Sequence, residues 1–273
     1  MKRKTITNVI CIATALSTAL AFAPVAMADD AASTDTATQS AGLTAADITY
    51  KIANGYTFTS GGCTYKVLSA KASNNIDLTS SPSQDMSVSR AYTGTVSLVK
   101  YNGSAKKAKV PDSVSCSATS TFASADANAS IKSVSLTESA TFTVASIGAG
   151  AFNNAKGHKI TKLTVGKNVS SIGDKAFFKC EKLKKIILKG DALRTVGANS
   201  DKKLNRNGKK YVMKLYKLRK KSWKTCKAFK GTPRTCTIKL PNINATKGLA
   251  YNMQYANAIR LLAGNAGFVG MVL

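Results

Sequence analysis

Few residues of this 273-residue chain could carry acid–base, nucleophilic or metal chemistry together. The one histidine, His158, stands in the polar turn Ala155-Lys-Gly-His-Lys, where a lone imidazole is far more often solvated than catalytic. Glu138 and Glu181, the only glutamates, fall in different repeats, and Asp174 has no partner acid at a matching position in its neighbours. No Gly-x-Ser-x-Gly, His-Glu-x-x-His, Walker-type or dinucleotide loop occurs. Cys63, Cys116, Cys180, Cys226 and Cys236 fit no zinc spacing. Cys226 and Cys236, ten apart, either pair in an oxidising medium or stay free. Without a base, nucleophile or ligand set, the sequence reads as no enzyme, with no catalytic residue, no metal and no cofactor. A hydrolase built around His158, Asp174 or Glu181 is the remote alternative.

Cationic binding is the chemistry the composition does offer. The formal net charge is +27. Between Lys179 and Lys239 there are 21 Lys and Arg against Glu181, Asp191 and Asp201. A field of that sign attracts polyanions. The densest run gives the candidate ligand-binding set Lys209, Lys210, Lys214, Lys217, Arg219, Lys220 and Lys221, with Lys162 and Lys185 beside it on the repeats. The expected partners are anionic cell-wall polymers, glycans or host surface proteins. A face that is charged only to stay wet is the competing reading.

The elements that would position these cations repeat. Ile131-x-x-Val134-x-Leu136, Ile160-x-x-Leu163-x-Val165 and Leu183-x-x-Ile186-x-Leu188 share one phrase. Val144-Ala-Ser-Ile147-Gly148, Val169-Ser-Ser-Ile172-Gly173 and Leu193-Arg-Thr-Val196-Gly197 share another, followed twice by Ala-Phe, at Phe152 and Phe177. A period of 24 to 25 residues with fixed apolar positions marks a leucine-rich solenoid. Its structural positions are Ile147, Gly148, Phe152, Ile172, Gly173, Phe177, Cys180, Val196 and Gly197. Cys180 stands where the preceding repeat has Ala155, and a small packed side chain accounts for both. Alternation in Leu163-Thr-Val165 and Ile186-Ile-Leu188 points Thr164 and Ile187 outward, with Lys162 and Lys185 on the same side. The third copy meets Ser200-Asp201 instead of Ala-Phe, and the phrase resumes at Lys227-Ala228-Phe229. Residues 200–226 therefore read as a basic insertion, as a short amphipathic helix or equally an edge strand.

Around the solenoid, Lys2-Arg3-Lys4, the apolar run Val9–Ala23 and Ala26-Met27-Ala28 read as a signal peptide over 1–28, cleaved near Ala28. Residues 29–47 carry four Asp and no Lys or Arg and read as a disordered spacer. Residues 48–130 alternate at period two between Asn-Gly and Gly-Gly turns, giving a β-rich N-terminal region that covers the first coil. The solenoid is expected over 131–241. Residues 242–273, with apolar spacing of three to four from Ala250 to Ala263, read as a C-terminal helical cap. No sorting-type C-terminus is recognised before Leu273, and no membrane span is expected. The fold class is thus mainly β with minor α, a short solenoid between two caps.

The segment Val169-Ser-Ser-Ile172-Gly173-Asp-Lys-Ala176-Phe177-Phe-Lys-Cys180-Glu-Lys-Leu183-Lys-Lys-Ile186-Ile-Leu188 resembles the repeat of the BspA-like leucine-rich repeat family of secreted bacterial surface proteins. Val144 to Phe152 matches its first half, and the Leu193 copy departs at Ser200-Asp201. The resemblance implies a surface-exposed or secreted protein with a binding role, adhesion among the family's roles. The reading is an exported repeat protein mediating adhesion or envelope association through a repeat face and a basic insertion. Its alternative is a structural wall-associated module with no specific ligand. Export argues against intracellular nucleic acid as a partner.

Overall fold

The structure is a computed structural model and describes residues 43–78, 84–126, 129–200, 224–242 and 244–273. The residues read as signal peptide, most of those read as spacer, and 201–223 of the basic insertion lie outside the described residues.

Two sheets share one apolar interior. The first begins with β1 (Thr57–Ser60) and β2 (Cys63–Ala72), a hairpin closed by Gly61 and Gly62. Both turn glycines have positive φ, 56° and 73°. That conformation matches the twist of the flanking strands and is open to glycine without steric cost. β3 (Asp85–Tyr101) lies antiparallel to β2 and then runs parallel to β6 (Ser133–Ile147), from Asp85 opposite Ser133 to Leu98 opposite Ile147. β5 (Ser113–Ala123) pairs antiparallel with the other side of β6. The tip of β6 hands the sheet on to β8 (Ser171–Ile172), β10 (Thr195–Val196) and β11 (Asn199–Ser200).

The second sheet is wholly parallel: β4 (Lys107–Val110), β7 (Lys162–Val165), β9 (Lys185–Leu188), β12 (Thr237–Lys239) and β13 (Met271–Val272), side by side in that order. Each coil crosses from one sheet to the other and returns, so every rung arrives in the same direction as the last. Two short helical elements follow β12, α1 (Asn244–Lys247) and α2 (Leu249–Asn265). The architecture is mainly β with minor α.

Inside the coils, alternate residues face one another. Leu98, Ile147, Ile172 and Val196 line one wall; Val110, Val165 and Leu188 line the other, and all are buried. At the corner between the sheets a column of rings runs the length of the stack. Tyr101, Phe152, Phe177 and Phe229 stack at centroid distances of 5.2, 5.1 and 5.3 Å, and Phe268 closes the column edge-on at 5.6 Å. Burying one such side chain contributes about 1.5–3 kcal/mol. Phe229 thus occupies the rung above Phe177 even though residues 201–223 separate it from Gly197.

The phrase at Ile131-Val134-Leu136 has a different fate from its later copies. These residues lie on or just before β6, in a small second core with Ile48 and Leu78, away from the coils. The second-sheet rung of the first coil is instead Ala108-Lys-Val110 on β4, ahead of Ile131. Apolar residues at i, i+3 and i+5 suit any strand buried on one side, so the spacing alone did not separate a coil rung from the foot of a long strand.

Helix α2 buries Tyr255, Ala258, Ile259, Leu262 and Ala263. The Tyr255 hydroxyl donates to the Gly190 carbonyl at 3.2 Å. Asp191 accepts from Lys247 Nζ at 2.5 Å and from the Tyr251 hydroxyl at 2.8 Å. The chain does not stop with the helix: it adds the last ring, Phe268, and the last strand, β13. Arg260 of α2 donates to the Val272 carbonyl at 3.1 Å, occupying a hydrogen-bonding position on that edge strand.

At the other end, buried Glu138 of β6 fastens the segment before β1. It accepts the amides of Lys51 at 2.8 Å and Ile52 at 3.1 Å and the Tyr92 hydroxyl at 2.9 Å. Of the two glutamates in the chain, this one fastens the N-terminal segment.

Candidate functional site

The parity that turns Leu163, Val165, Ile186 and Leu188 into the core turns their neighbours to solvent. Lys107, Lys162 and Lys185 are direct cross-strand partners on β4, β7 and β9, followed by Thr237 and Met271 on β12 and β13. The second outward row is Lys109, Thr164, Ile187 and Lys239. Neighbouring strands lie about 4.8 Å apart, so three ammonium-bearing side chains leave the sheet in one line. Like charges directly opposite one another destabilise a sheet, by up to about 1 kcal/mol per pair when the charges stay close. None of the three has a carboxylate partner among the described residues.

Nearby acids are spent on the fold. Asp112 Oδ1 accepts the Lys167 amide at 2.6 Å and shapes the turn after β4. Burial alone would raise the Asp191 carboxyl, but the hydrogen bonds from Lys247 and Tyr251 outweigh it and hold the group below the usual carboxylate range. Lys106, Lys184 and Lys189, exposed at the strand ends, add to the positive field.

The first sheet contrasts with this. Its corresponding row across the coils is Ser97, Ser146, Ser171 and Thr195, hydroxyls without charge.

Lys162 and Lys185, singled out from the sequence, are therefore brought into direct register. Lys209, Lys210, Lys214, Lys217, Arg219, Lys220 and Lys221 lie outside the described residues. Lys107 and Lys109 were missed, though a signal existed: Lys107-Ala-Lys-Val110 repeats the Lys-apolar-x-apolar spelling of Lys162-Leu-Thr-Val165 and Lys185-Ile-Ile-Leu188.

The repeat positions carry two ladders of backbone bonds. The amides of Gly148, Gly173 and Gly197 donate to the carbonyls of Leu98, Ile147 and Ile172 at 2.7, 2.8 and 2.8 Å. The amides of Tyr101, Phe152, Phe177 and Phe229 donate to the carbonyls of Ala151, Ala176, Ala228 and Ala266 at 2.7–2.9 Å. Two of these glycines answer to different demands. A Cβ on Gly173 would stand 2.4 Å from the Ala149 nitrogen, whereas Gly197 has φ 60°.

Cys180 is buried, its thiol 3.7 Å from the Phe152 carbonyl, and burial with the nearby Cys236 pushes its pKa up to about 12. Ala155, read as its counterpart, is exposed. The turn from Phe152 to Ile160 is longer than that from Phe177 to Leu183, and Gly157 fills the buried place. Cys226 and Cys236 are both free thiols.

Asp174 and His158 have structural partners. Asp174 Oδ1 accepts the Lys227 amide at 2.6 Å, tying one coil to the next. His158 Nε2 sits 3.3 Å from Asn153 Oδ1 within its own turn.

A family model, the BspA type leucine rich repeat region, matches residues 99–230 in six copies. No curated protein matches the chain. Among solved structures, the chain is similar to a leucine rich cell surface protein from Faecalibacterium prausnitzii A2-165. The identity is 18% over 52% of this chain and 26% of that one, with a TM-score of 0.30. It is also similar to a leucine-rich repeat protein from Bacteroides capillosus ATCC 29799, at 22% identity over 54% of this chain and 86% of that one, with a TM-score of 0.27. The chain thus spans about a quarter of the first of these proteins. Tyr101, where the ring column begins, and Phe229 both fall inside the matched stretch, and residues 99–230 are a BspA type leucine-rich repeat region.

Proposed function

We propose that this repeat protein works at the cell surface, in adhesion or envelope association, by holding an anionic partner on the outward face of its second sheet. The observation that carries the reading is the register of Lys107, Lys162 and Lys185 without carboxylate partners among the described residues. Three like charges in one row oppose folding, and an anion laid over them removes that penalty. The basic stretch 209–221 enlarges the same field in sequence terms, and the leader-like residues 1–28 support export.

Retention of the purified protein on isolated envelopes should fall steeply between about 50 and 200 mM salt, as contacts between cations and polyanions do. Replacing Lys162 and Lys185 by Gln should weaken retention while leaving thermal unfolding unchanged or raised. Replacing the cations between Lys209 and Lys221 by Gln in a separate variant measures the share of that stretch. Retention flat across the salt range, or indifferent to both variants, would overturn the proposal.

A further inference from the structure

Two lysines hold a backbone conformation that suits neither of them. Lys175 has φ 54° and Lys179 has φ 57°, and no other non-glycine residue among the described residues has a positive φ. The left-handed region crowds a Cβ, and lysine is not among the residue types that visit it readily. Neighbouring coils put glycine at the matching places. Gly150, φ 64°, precedes Ala151-Phe152 as Lys175 precedes Ala176-Phe177. Gly231, φ 89°, follows Phe229 at the offset of Lys179 from Phe177. The fold accepts glycine at both places, and one coil carries lysine at both.

The two side chains belong to a larger group. Lys227 and Lys230 flank Ala228-Phe229 on the next coil, and all four lysines are exposed. The step between these coils is short: Phe177 and Phe229 stack at 5.3 Å, and the Lys179 amide donates to the Lys230 carbonyl at 2.9 Å. Among the described residues, none of the four ammonium groups is in an ion pair. Lys179 Nζ lies over the Phe178 ring at 5.7 Å from its centroid. The acids of this turn are Asp174, which accepts the Lys227 amide at 2.6 Å, and the exposed Glu181.

We infer that this corner ridge, Lys175 and Lys179 with Lys227 and Lys230, is a second contact surface for the anionic partner, kept although it strains the turn. Strained backbone concentrates where a side chain is retained for binding. An ammonium on a long flexible stem acts as a point charge, so the ridge reads the density of negative charge and not the shape of the anionic group. The inference rests on the proposed function for the anionic nature of the partner. It adds residues that lie apart from the second-sheet row.

The test measures binding of the full chain to labelled poly-L-glutamate and to labelled inorganic polyphosphate by fluorescence anisotropy, with the melting temperature beside it. Lys175→Gly with Lys179→Gly should leave the melting temperature unchanged or raise it. The same variant should weaken binding to either probe by about two- to thirtyfold at low salt, the range for two exposed ion pairs. Its slope of log affinity against log salt should drop by about 1.4, the loss of two contacts to a single-stranded polyanion. Lys175→Gln with Lys179→Gln, which removes the charge and keeps the Cβ, should weaken binding equally. Lys175→Arg with Lys179→Arg keeps charge and strain and should change neither affinity nor melting temperature.

Unchanged binding by the glycine and glutamine variants would overturn the inference, leaving the lysines as residues tolerated in a turn whose shape the stacking dictates. A loss confined to one probe, or shared by the arginine variant, would overturn recognition by charge alone. Lys162→Gln with Lys185→Gln separates the two surfaces. Loss there with none at the corner overturns the inference and leaves the second-sheet face standing. Loss at the corner with none there supports the ridge and overturns that face.

Discussion

Phe152 and Phe177 stack with ring centroids 5.1 Å apart, and both lie in the column that joins four consecutive coils to the final turn. One ring per coil means that no coil buries its corner without its neighbours. Phe177→Ala, in the middle of the column, leaves a cavity with aromatic walls above and below. It should cost about 3–5 kcal/mol, read as a fall in the urea midpoint. A loss under about 1 kcal/mol would mean that the column is not a structural spine.

Two neighbouring turn positions should respond with opposite signs. Lys175 has φ 54°, at the place where the preceding coil has Gly150 with φ 64°. A Cβ in that region is strained, so Lys175→Gly should stabilise the chain by up to about 1 kcal/mol, less the entropy gained by the unfolded chain. Gly173→Ala drives a methyl group against the backbone of Ala149 and should destabilise by about 1–3 kcal/mol. Thermal melts of the two variants should move in opposite directions, and a shared direction contradicts the turn geometry.

Glu138→Gln should release the N-terminal segment without touching the coils. An amide presents one oxygen where the carboxylate presents two to the Lys51 and Ile52 amides and the Tyr92 hydroxyl. The unmatched donor costs about 1–3 kcal/mol. Hydrogen exchange should show lost protection at the Ile52 amide with the Phe177 amide still protected. Equal protection at Ile52 before and after the change would rule the fastening out.

Burial sets the order of thiol reactivity. It pushes Cys180, helped by Cys236, up to about 12 and Cys236 up to about 11, while Cys116 and Cys226 are raised but partly exposed. At pH 8.5, iodoacetamide should modify Cys116 and Cys226 in the folded protein and reach Cys180 and Cys236 only on unfolding. The folded thiols keep their protons above the unfolded value of about 8.5, so their contribution is complete below that pH. It is lost as pH climbs from there toward about 12. Early modification of Cys180 would show that the coil interior opens.

Which residues would be buried was legible wherever a residue answers to local chemistry. Ile147, Ile172 and Val196 before their glycines, and Phe152 and Phe177 after them, are named by a spacing that recurs along the chain, and all five are buried. The repeated phrase failed at Ile131, because one apolar stripe serves a coil rung and a long strand equally well. It failed again at Ala155, because two extra residues in the turn shift which one meets the core.

The candidate site divides in the same way. Alternation along a single strand sufficed to turn Lys162 and Lys185 outward, since side-chain direction on a strand is a property of the strand itself. That these two and Lys107 stand in one line was decided only by the pairing of β4 with β7 and of β7 with β9. Register between strands belongs to neither strand. It is fixed by how the coils stack, rings on rings and amides on carbonyls, and a shift of one residue would scatter the row.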